Sequence, residues 1–176
     1  DIDHFKHIND EHGHAAGDLV LKQFAEILRE AVRDSDTAVR WGGEEFLVVA
    51  RNVARRESSV LVERIRANVA AHAFDIGEGK TLHATCSLGF TTFPFCSDET
   101  SLFGWDQVVD FADRALYTAK RSGRNAWVGF YPADQATLQR LKEGLPTAIL
   151  PLMQEGHLDV FTSLPGIDAL NWDQEK

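Results

Sequence analysis

The sequence predicts interleaved helices and strands packed in layers, an α/β or α+β fold, followed by a tail of different character. Three observations carry this reading. The chain has 176 residues, 44% of them hydrophobic, which is enough for one proper core. Apolar residues recur at helical spacing in three stretches. Short runs rich in β-branched and aromatic residues lie between those stretches, and such alternation builds layered folds.

The first expected helix covers residues 19–33. Val20, Phe24, Leu28 and Val32 form its stripe, widened by Leu21, Ile27 and Ala31. Residues 37–41 and 45–50 read as two strands with Gly42-Gly43 between them. Paired glycines there signal a type I′ hairpin, which needs positive φ at both central residues. Glu44 and Glu45 then leave the turn at the start of the second strand. A second helix is expected over 55–73, with Val60, Ile65 and Val69 among its apolar positions. Residues 82–93 are strand-rich but interrupted at Gly89, and 107–121 form a third helix stopped by Ser122-Gly123, where glycine suits the position after a helix end. Residues 125–130 give a closing strand. From about Tyr131 prolines punctuate short apolar clusters, at Leu145-Pro146, Leu150-Pro151 and Leu164-Pro165. Helical fragments at most are expected in this tail, packed on the core or leading to another domain.

The formal net charge of −9 and pI near 5.2 argue against broad binding to nucleic acid or to an anionic membrane. A nucleotide ligand remains open, its phosphates held by a metal and a few placed cations. Cys86 and Cys96 form no CxxC pattern, so reduced thiols are expected rather than a disulfide framework or structural zinc. No apolar run is long enough to cross a bilayer and no signal peptide opens the chain. A cytoplasmic setting is expected, including the cytosolic domain of a longer, membrane-tethered protein.

Asp1 and Asp3 open the chain, and Glu44 and Glu45 follow the glycines. Two carboxylates about 4 Å apart repel by about 4 kcal/mol at an effective dielectric near 20. A divalent cation turns that repulsion into binding, and an all-oxygen donor set suits Mg²⁺. The bland alternative is a set of solvated acids at strand ends. His4, His7, His12 and His14 crowd the same stretch, and a zinc site is the less favoured alternative there.

Three stretches narrow the choice: Asp1-Ile-Asp-His-Phe-Lys-His-Ile-Asn-Asp with Gly13-His14 and Gly17-Asp18; Arg40-Trp-Gly-Gly-Glu-Glu-Phe46; and Ala112-Asp-Arg-Ala-Leu-Tyr117 with Lys120-Arg-Ser-Gly-Arg-Asn125. In this order and spacing they resemble the signatures of the GGDEF family of diguanylate cyclases, in its GGEEF variant, over about residues 1–131. The resemblance implies an α+β fold, an α/β sandwich with a central, mainly antiparallel sheet wrapped by helices, similar to nucleotidyl cyclases and polymerase palms. Residues 132–176 fall outside it. It also implies a strand running into Asp1, so the native chain is expected to continue upstream.

The implied activity joins two GTP molecules into cyclic di-GMP. The 3′-oxygen of one GTP attacks the α-phosphorus of the other, pyrophosphate leaves, and a second round closes the ring. Asp1, Glu44 and the Ile2 carbonyl would hold Mg²⁺ or, as an alternative, Mn²⁺. Glu45 would sit beside the metal and triphosphate, and either glutamate can assist deprotonation of the attacking hydroxyl. Backbone around His4, Phe5 and Lys6 would face the phosphates. Gly42 and Gly43 would let the nucleotide lie against the hairpin without a Cβ clash. Asn9 and Asp18 would read guanine, whose N1–H and N2–H₂ form a donor pair that a carboxylate can accept and that adenine lacks. Lys120 and Arg124 would contact the triphosphate, although cations near a helix C-terminus also suit the helix dipole. Each domain would carry one half-site, so catalysis requires a homodimer.

Arg33-Asp34-Ser35-Asp36 has the form RxxD, with five residues separating Asp36 from Gly42. In the family this placement marks an inhibitory site for the product, with Arg33 and Asp36 gripping it and Arg64 completing it. The main rival is a catalytically silent cyclic di-GMP receptor. An enzyme of relaxed base choice and a purely structural domain are the others.

Overall fold

The first three residues are woven into a β-bridge in the computed structural model, which describes residues 1–134, 136–145 and 149–172. The Asp1 amino group donates to the Ser87 carbonyl (3.1 Å), Ser87 N–H to the Asp1 carbonyl (3.0 Å), and Asp3 N–H to the Thr85 carbonyl (2.9 Å). Ile2 is the centre of this antiparallel bridge, opposite Cys86, and is 1% exposed. Its N–H turns to the other side and donates to the Glu44 carbonyl (3.4 Å).

The chain divides into two units, Asp1–Ser87 and Leu88–Lys176. In the first, helix α1 (Phe5–His12) is followed by α2 (His14–Ala31), the break falling at Gly13 with φ 85°. Helix α2 starts five residues before the expected 19, because Ala16 and Gly17 are buried although they add nothing to an apolar stripe. The stripe itself, including Val20, Phe24 and Leu28, is buried as read from its spacing. Strands β1 (Thr37–Gly42) and β2 (Glu45–Val49) pair antiparallel. Helix α3 (Arg55–Ala71) buries Val62, Ile65 and Val69 but leaves Val60 exposed, contrary to expectation. Its first turn is closed by Glu57, which accepts from Ala54 N–H (3.3 Å). A hairpin that was not anticipated follows, β3 (Ala73–Gly77) against β4 (Lys80–His83). Glu78 and Gly79 turn it, and both they and Gly77, which pairs with Lys80 at the end of β3, have positive φ.

The β1–β2 turn departs from the expected one. Gly42 is paired with Glu45, so the turn residues are Gly43 and Glu44 rather than the two glycines. The register shifts between Arg40 and Gly42, and the extra residue Trp41 moves the turn along by one. Gly43 alone of the two glycines has positive φ, 48°. Glu44 therefore sits in the turn, and Glu45 opens β2.

In the second unit, β5 (Leu88–Phe90) pairs parallel with β6 (Trp127–Pro132), and α4 (Trp105–Arg121) connects them. A Cβ at Gly89 would run into the Ala112 carbonyl and the backbone of Leu116, so only glycine lets α4 lie this close on β5. Phe95, Phe103 and Phe111 pack edge to face with centroids 5.1–5.7 Å apart.

The tail is more ordered than helical fragments. Helices α5 (Leu138–Gly144) and α6 (Ile149–Gln154) lead into strand β7 (Leu158–Thr162), which pairs antiparallel with β6, and then a 3₁₀ turn (Ile167–Ala169). Of the expected tail prolines, Pro146 lies outside the described residues, while Pro151 sits in the first turn of α6, where its missing N–H does no harm. Leu141, Leu145 and Leu152 are fully buried, in the same apolar cluster as Phe111, Val128 and Phe130. Arg114 on α4 donates to the Leu145 carbonyl (3.0 Å), and Arg140 grips Glu155 through two nitrogens (2.6 and 2.8 Å). The expected α+β class holds. Among the described residues the strands form three small sheets, antiparallel except for β5–β6.

Candidate active site

The bonding of residues 1–3 sorts the acids of the first stretch. Asp3 is 4% exposed, and its carboxylate accepts from both the Ser87 hydroxyl (2.7 Å) and the Thr85 hydroxyl (2.6 Å). It is a buried bracket between residues 1–3 and 85–87, and its lone pairs are largely committed. Asp1 and Glu44 are half-buried and Glu45 is exposed. The Ile2–Glu44 backbone bond ties Asp1-Ile2 directly to the hairpin turn that carries Glu44. Arg40 braces the same turn, its Nε donating to the Gly43 carbonyl (2.8 Å).

Helix α1 begins immediately after this bracket. Its first residue is preceded by His4 in the left-handed region, φ 57°, which turns the chain sharply out of the strand. Phe5 and Ile8 anchor α1 in the core while Lys6 stays exposed. Asn9 is half-buried and meets α2 at Gly17: a Cβ there would collide with the Asn9 amide oxygen and come within 3.2 Å of the Phe5 ring. Gly17 is thus what lets Asn9 sit at the α1–α2 crossing. Asp18, the next residue, is exposed and lines a groove of about 330 Å³ between α2 and the hairpin. Leu21 and Phe46 give this groove apolar walls, and Lys22 and Arg40 add positive charge. Its size lies at the low end of the range for small-molecule sites. The contributions of Gly17 and Arg40 were not read from the sequence. The adjacency Gly17-Asp18 and the place of Arg40 just before the glycines were their only signals.

The expected inhibitory residues also converge. Asp36 N–H donates to the Arg33 carbonyl (2.9 Å), while the Asp36 carboxylate accepts from the N–H groups of Arg51 and Arg33 (3.0 Å each). Those two backbone donors, Arg51 foremost, hold its carboxyl below the usual carboxylate range. Arg64 on α3 donates to the carbonyl of Ala31, the last residue of α2 and two positions before Arg33. The three residues therefore surround one helix end, and Asp36 has a structural use there regardless of any ligand.

Lys120 lies in the last turn of α4, and Arg124 follows Gly123 in the second unit. Both cysteines are free and buried; burial pushes the Cys86 thiol up to about 12, so it is inert at neutral pH. No helix among the described residues is long and apolar enough to cross a membrane.

The profile of a known family, described as "Diguanylate cyclase, GGDEF domain", matches residues 1–126. The chain belongs to the GGDEF family. It is 46% identical over 125 residues to diguanylate cyclase DgcP of Pseudomonas aeruginosa, covering 71% of this chain and 18% of that protein. It is 41% identical over 125 residues to diguanylate cyclase A of Treponema denticola, covering 71% of this chain and 32% of that one. The chain thus spans a third or less of the length of these relatives. Among solved structures, the GGDEF domain of DgcB from Caulobacter crescentus in complex with c-di-GMP superposes with a TM-score of 0.61 at 34% identity, covering 71% of each chain. All three GGDEF signature stretches lie inside the matched residues. Beyond Ala126, the whole of β6 and the whole of the tail lie outside the match.

Proposed function

We propose that this GGDEF domain carries one half-site of a diguanylate cyclase, which condenses two GTP into cyclic di-GMP with release of two pyrophosphates when two copies meet. The observation that carries this reading is the bond from Ile2 to Glu44, which joins the two signature stretches at the residues expected to hold a metal. Asp1, Glu44 and the Ile2 carbonyl supply only hard oxygen donors, and Asp3 is already spent on Ser87 and Thr85. Such a set fits Mg²⁺, which takes one or two carboxylates and fills its remaining positions with water and substrate phosphates. When bound, the ion would neutralise phosphate charge and polarise the reacting oxygens.

The chain's own groups then divide the work. The start of α1, at Phe5 and Lys6, offers N–H groups and the positive end of a helix dipole to phosphate. Asn9 and Asp18 hold guanine, and Gly42 and Gly43 keep the hairpin open to the nucleotide. Glu45 or Glu44 takes the proton of the attacking 3′-hydroxyl. Lys120 and Arg124 hold the triphosphate. Positioning and fixed charge are the main catalytic terms in such a transfer.

The direct test offers GTP and ATP side by side with Mg²⁺ and resolves the products. Cyclic di-GMP from GTP and no ring from ATP support the assignment; mixed rings would move it to an enzyme of relaxed base choice. Gly17→Ala is expected to push the Asn9 amide out of place. It should weaken GTP binding roughly tenfold, the worth of about one hydrogen bond, and lower stability by about 1–3 kcal/mol through overpacking. Titration calorimetry and thermal melts read the two effects.

We further propose that Arg33, Asp36 and Arg64 form an inhibitory product site. Their convergence on the end of α2 favours it. Arg33→Ala is expected to weaken cyclic di-GMP binding at least roughly tenfold, since a charge-assisted bidentate contact is lost. Unchanged affinity and unchanged inhibition by product would refute it.

A further inference from the structure

The loop that joins α4 to β6 has a conformation that its own residues do not favour. Gly123, Arg124 and Asn125 all have positive φ, at 110°, 64° and 45°. Glycine accepts this readily, but Arg124 and Asn125 crowd their Cβ atoms against the backbone. Consecutive residues of this kind persist where the surroundings over-determine them.

Those surroundings come from α4, whose Ala119 carbonyl accepts from Arg124 N–H (3.2 Å), from β5, where Leu88 N–H donates to the Ala126 carbonyl (3.0 Å), and from the tail. At the start of the loop, Asn171 N–H donates to the Ser122 hydroxyl (2.9 Å), which in turn donates to the Thr118 carbonyl (2.6 Å). At its end, Trp127 N–H donates to the Ser163 hydroxyl (3.0 Å) and Ser163 N–H to the Trp127 carbonyl (3.2 Å). Asn171 is itself fixed on both sides. Leu170 is buried in the core, and Trp172 stacks on Phe130 with centroids 6.5 Å apart and planes 21° apart. Ser163 directly follows β7, whose pairing with β6 sets its register. Two tail segments thus hold the two ends of the five-residue loop 122–126 from outside the residues that match the family.

We infer that Ser122, Ser163 and the Asn171 backbone are positioning residues, by which the tail holds the Arg124 loop in the shape that presents Lys120 and Arg124 to the triphosphate of GTP. The inference rests on the proposed phosphate role of those two cations. Without the clamp, Arg124 and Asn125 relax toward negative φ, and the Arg124 side chain leaves its bound direction. The guanine contacts, which lie on α1 and α2, are untouched. The consequence is a selective loss of triphosphate affinity.

The test titrates the full chain with Mg²⁺ and a non-hydrolysable α,β-methylene analogue of GTP, and in parallel with GMP. Ser163→Ala and Ser122→Ala are each expected to weaken the triphosphate analogue roughly threefold to tenfold, the effect of one hydrogen bond. GMP affinity should stay as it is, and Ser163→Thr, which keeps the hydroxyl, should restore the wild-type value. Lys120→Ala and Arg124→Ala serve as references. If those two weaken the analogue while both serine variants bind it normally, the clamp is wrong and the phosphate reading stands. If neither cation variant changes binding, the phosphate reading fails and the clamp fails with it. An equal loss for GMP and analogue, with a lowered melting temperature, would make the serines merely structural and overturn the inference.

Discussion

Glu44→Ala is expected to reduce cyclic di-GMP formation by roughly a thousandfold, about 4 kcal/mol of transition-state stabilisation. The residue sits in the two-residue β1–β2 turn and is only half-buried, so the fold has little need of its side chain. In the proposed metal site its carboxylate acts together with that of Asp1, while Asp3 is held by two hydroxyls. Loss of activity should therefore come without loss of stability, the change in unfolding free energy staying within about 0.5 kcal/mol as for surface substitutions. Steady-state assays with the product resolved by ion exchange, beside thermal melts, separate the two. Chelation of the metal should reproduce the effect in the unaltered chain. Equal activity with and without Glu44 would remove it from the reaction.

Truncation after Pro132 is expected to unfold the second unit. The deleted residues include Leu141, Leu145, Ile149, Leu152, Leu158, Val160 and Leu170, all buried in one cluster with Phe111, Val128 and Phe130. Burial of one such side chain stabilises by about 1.5–3 kcal/mol, and a whole domain is stable by only about 5–15 kcal/mol. Removal of β7 also strips β6 of its antiparallel partner and leaves Trp127 N–H without the Ser163 hydroxyl. A milder variant, Leu152→Ala, should cost about 2–5 kcal/mol by opening a cavity. Its side chain also packs on Gly144, so the gap falls between α5 and α6. Urea unfolding of the three chains checks both statements. A truncated chain with an unchanged midpoint would show that the tail lies outside the core.

Much of this architecture was legible in the sequence, for identifiable reasons. Helices α2, α3 and α4 carry apolar stripes, which the 3.6-residue period exposes, and Gly123 marked the end of α4 as expected, with φ 110°. Boundaries were less legible where burial used small residues: α2 begins at His14 because Ala16 and Gly17 pack closely, which no hydropathy pattern registers. The hairpin turn was misplaced by one residue because a bulge at Trp41 is a pairing event, and pairing is not local. The β3–β4 hairpin escaped because its glycines flank Glu78 instead of adjoining each other.

The proposed site was read through motifs rather than geometry. Asp1 and Glu44 were singled out by residue type and place, and Asp18 by the resemblance to the family. That Asp3 is a buried bracket depends on Thr85 and Ser87, more than 80 residues away in the chain. The tail was the least legible part. Its apolar clusters are short, and β7 has meaning only beside β6, with which it shares a register from Val128–Thr162 to Pro132–Leu158.

The most direct test of the central claim is product formation by the full chain fused to a dimerising coiled coil, incubated with GTP and Mg²⁺. The expected result is cyclic di-GMP with two pyrophosphates released per ring, and no comparable rate from the monomeric chain. No product from the dimerised chain, together with tight cyclic di-GMP binding that disappears in Arg33→Ala, would contradict it and make this domain a receptor for the nucleotide.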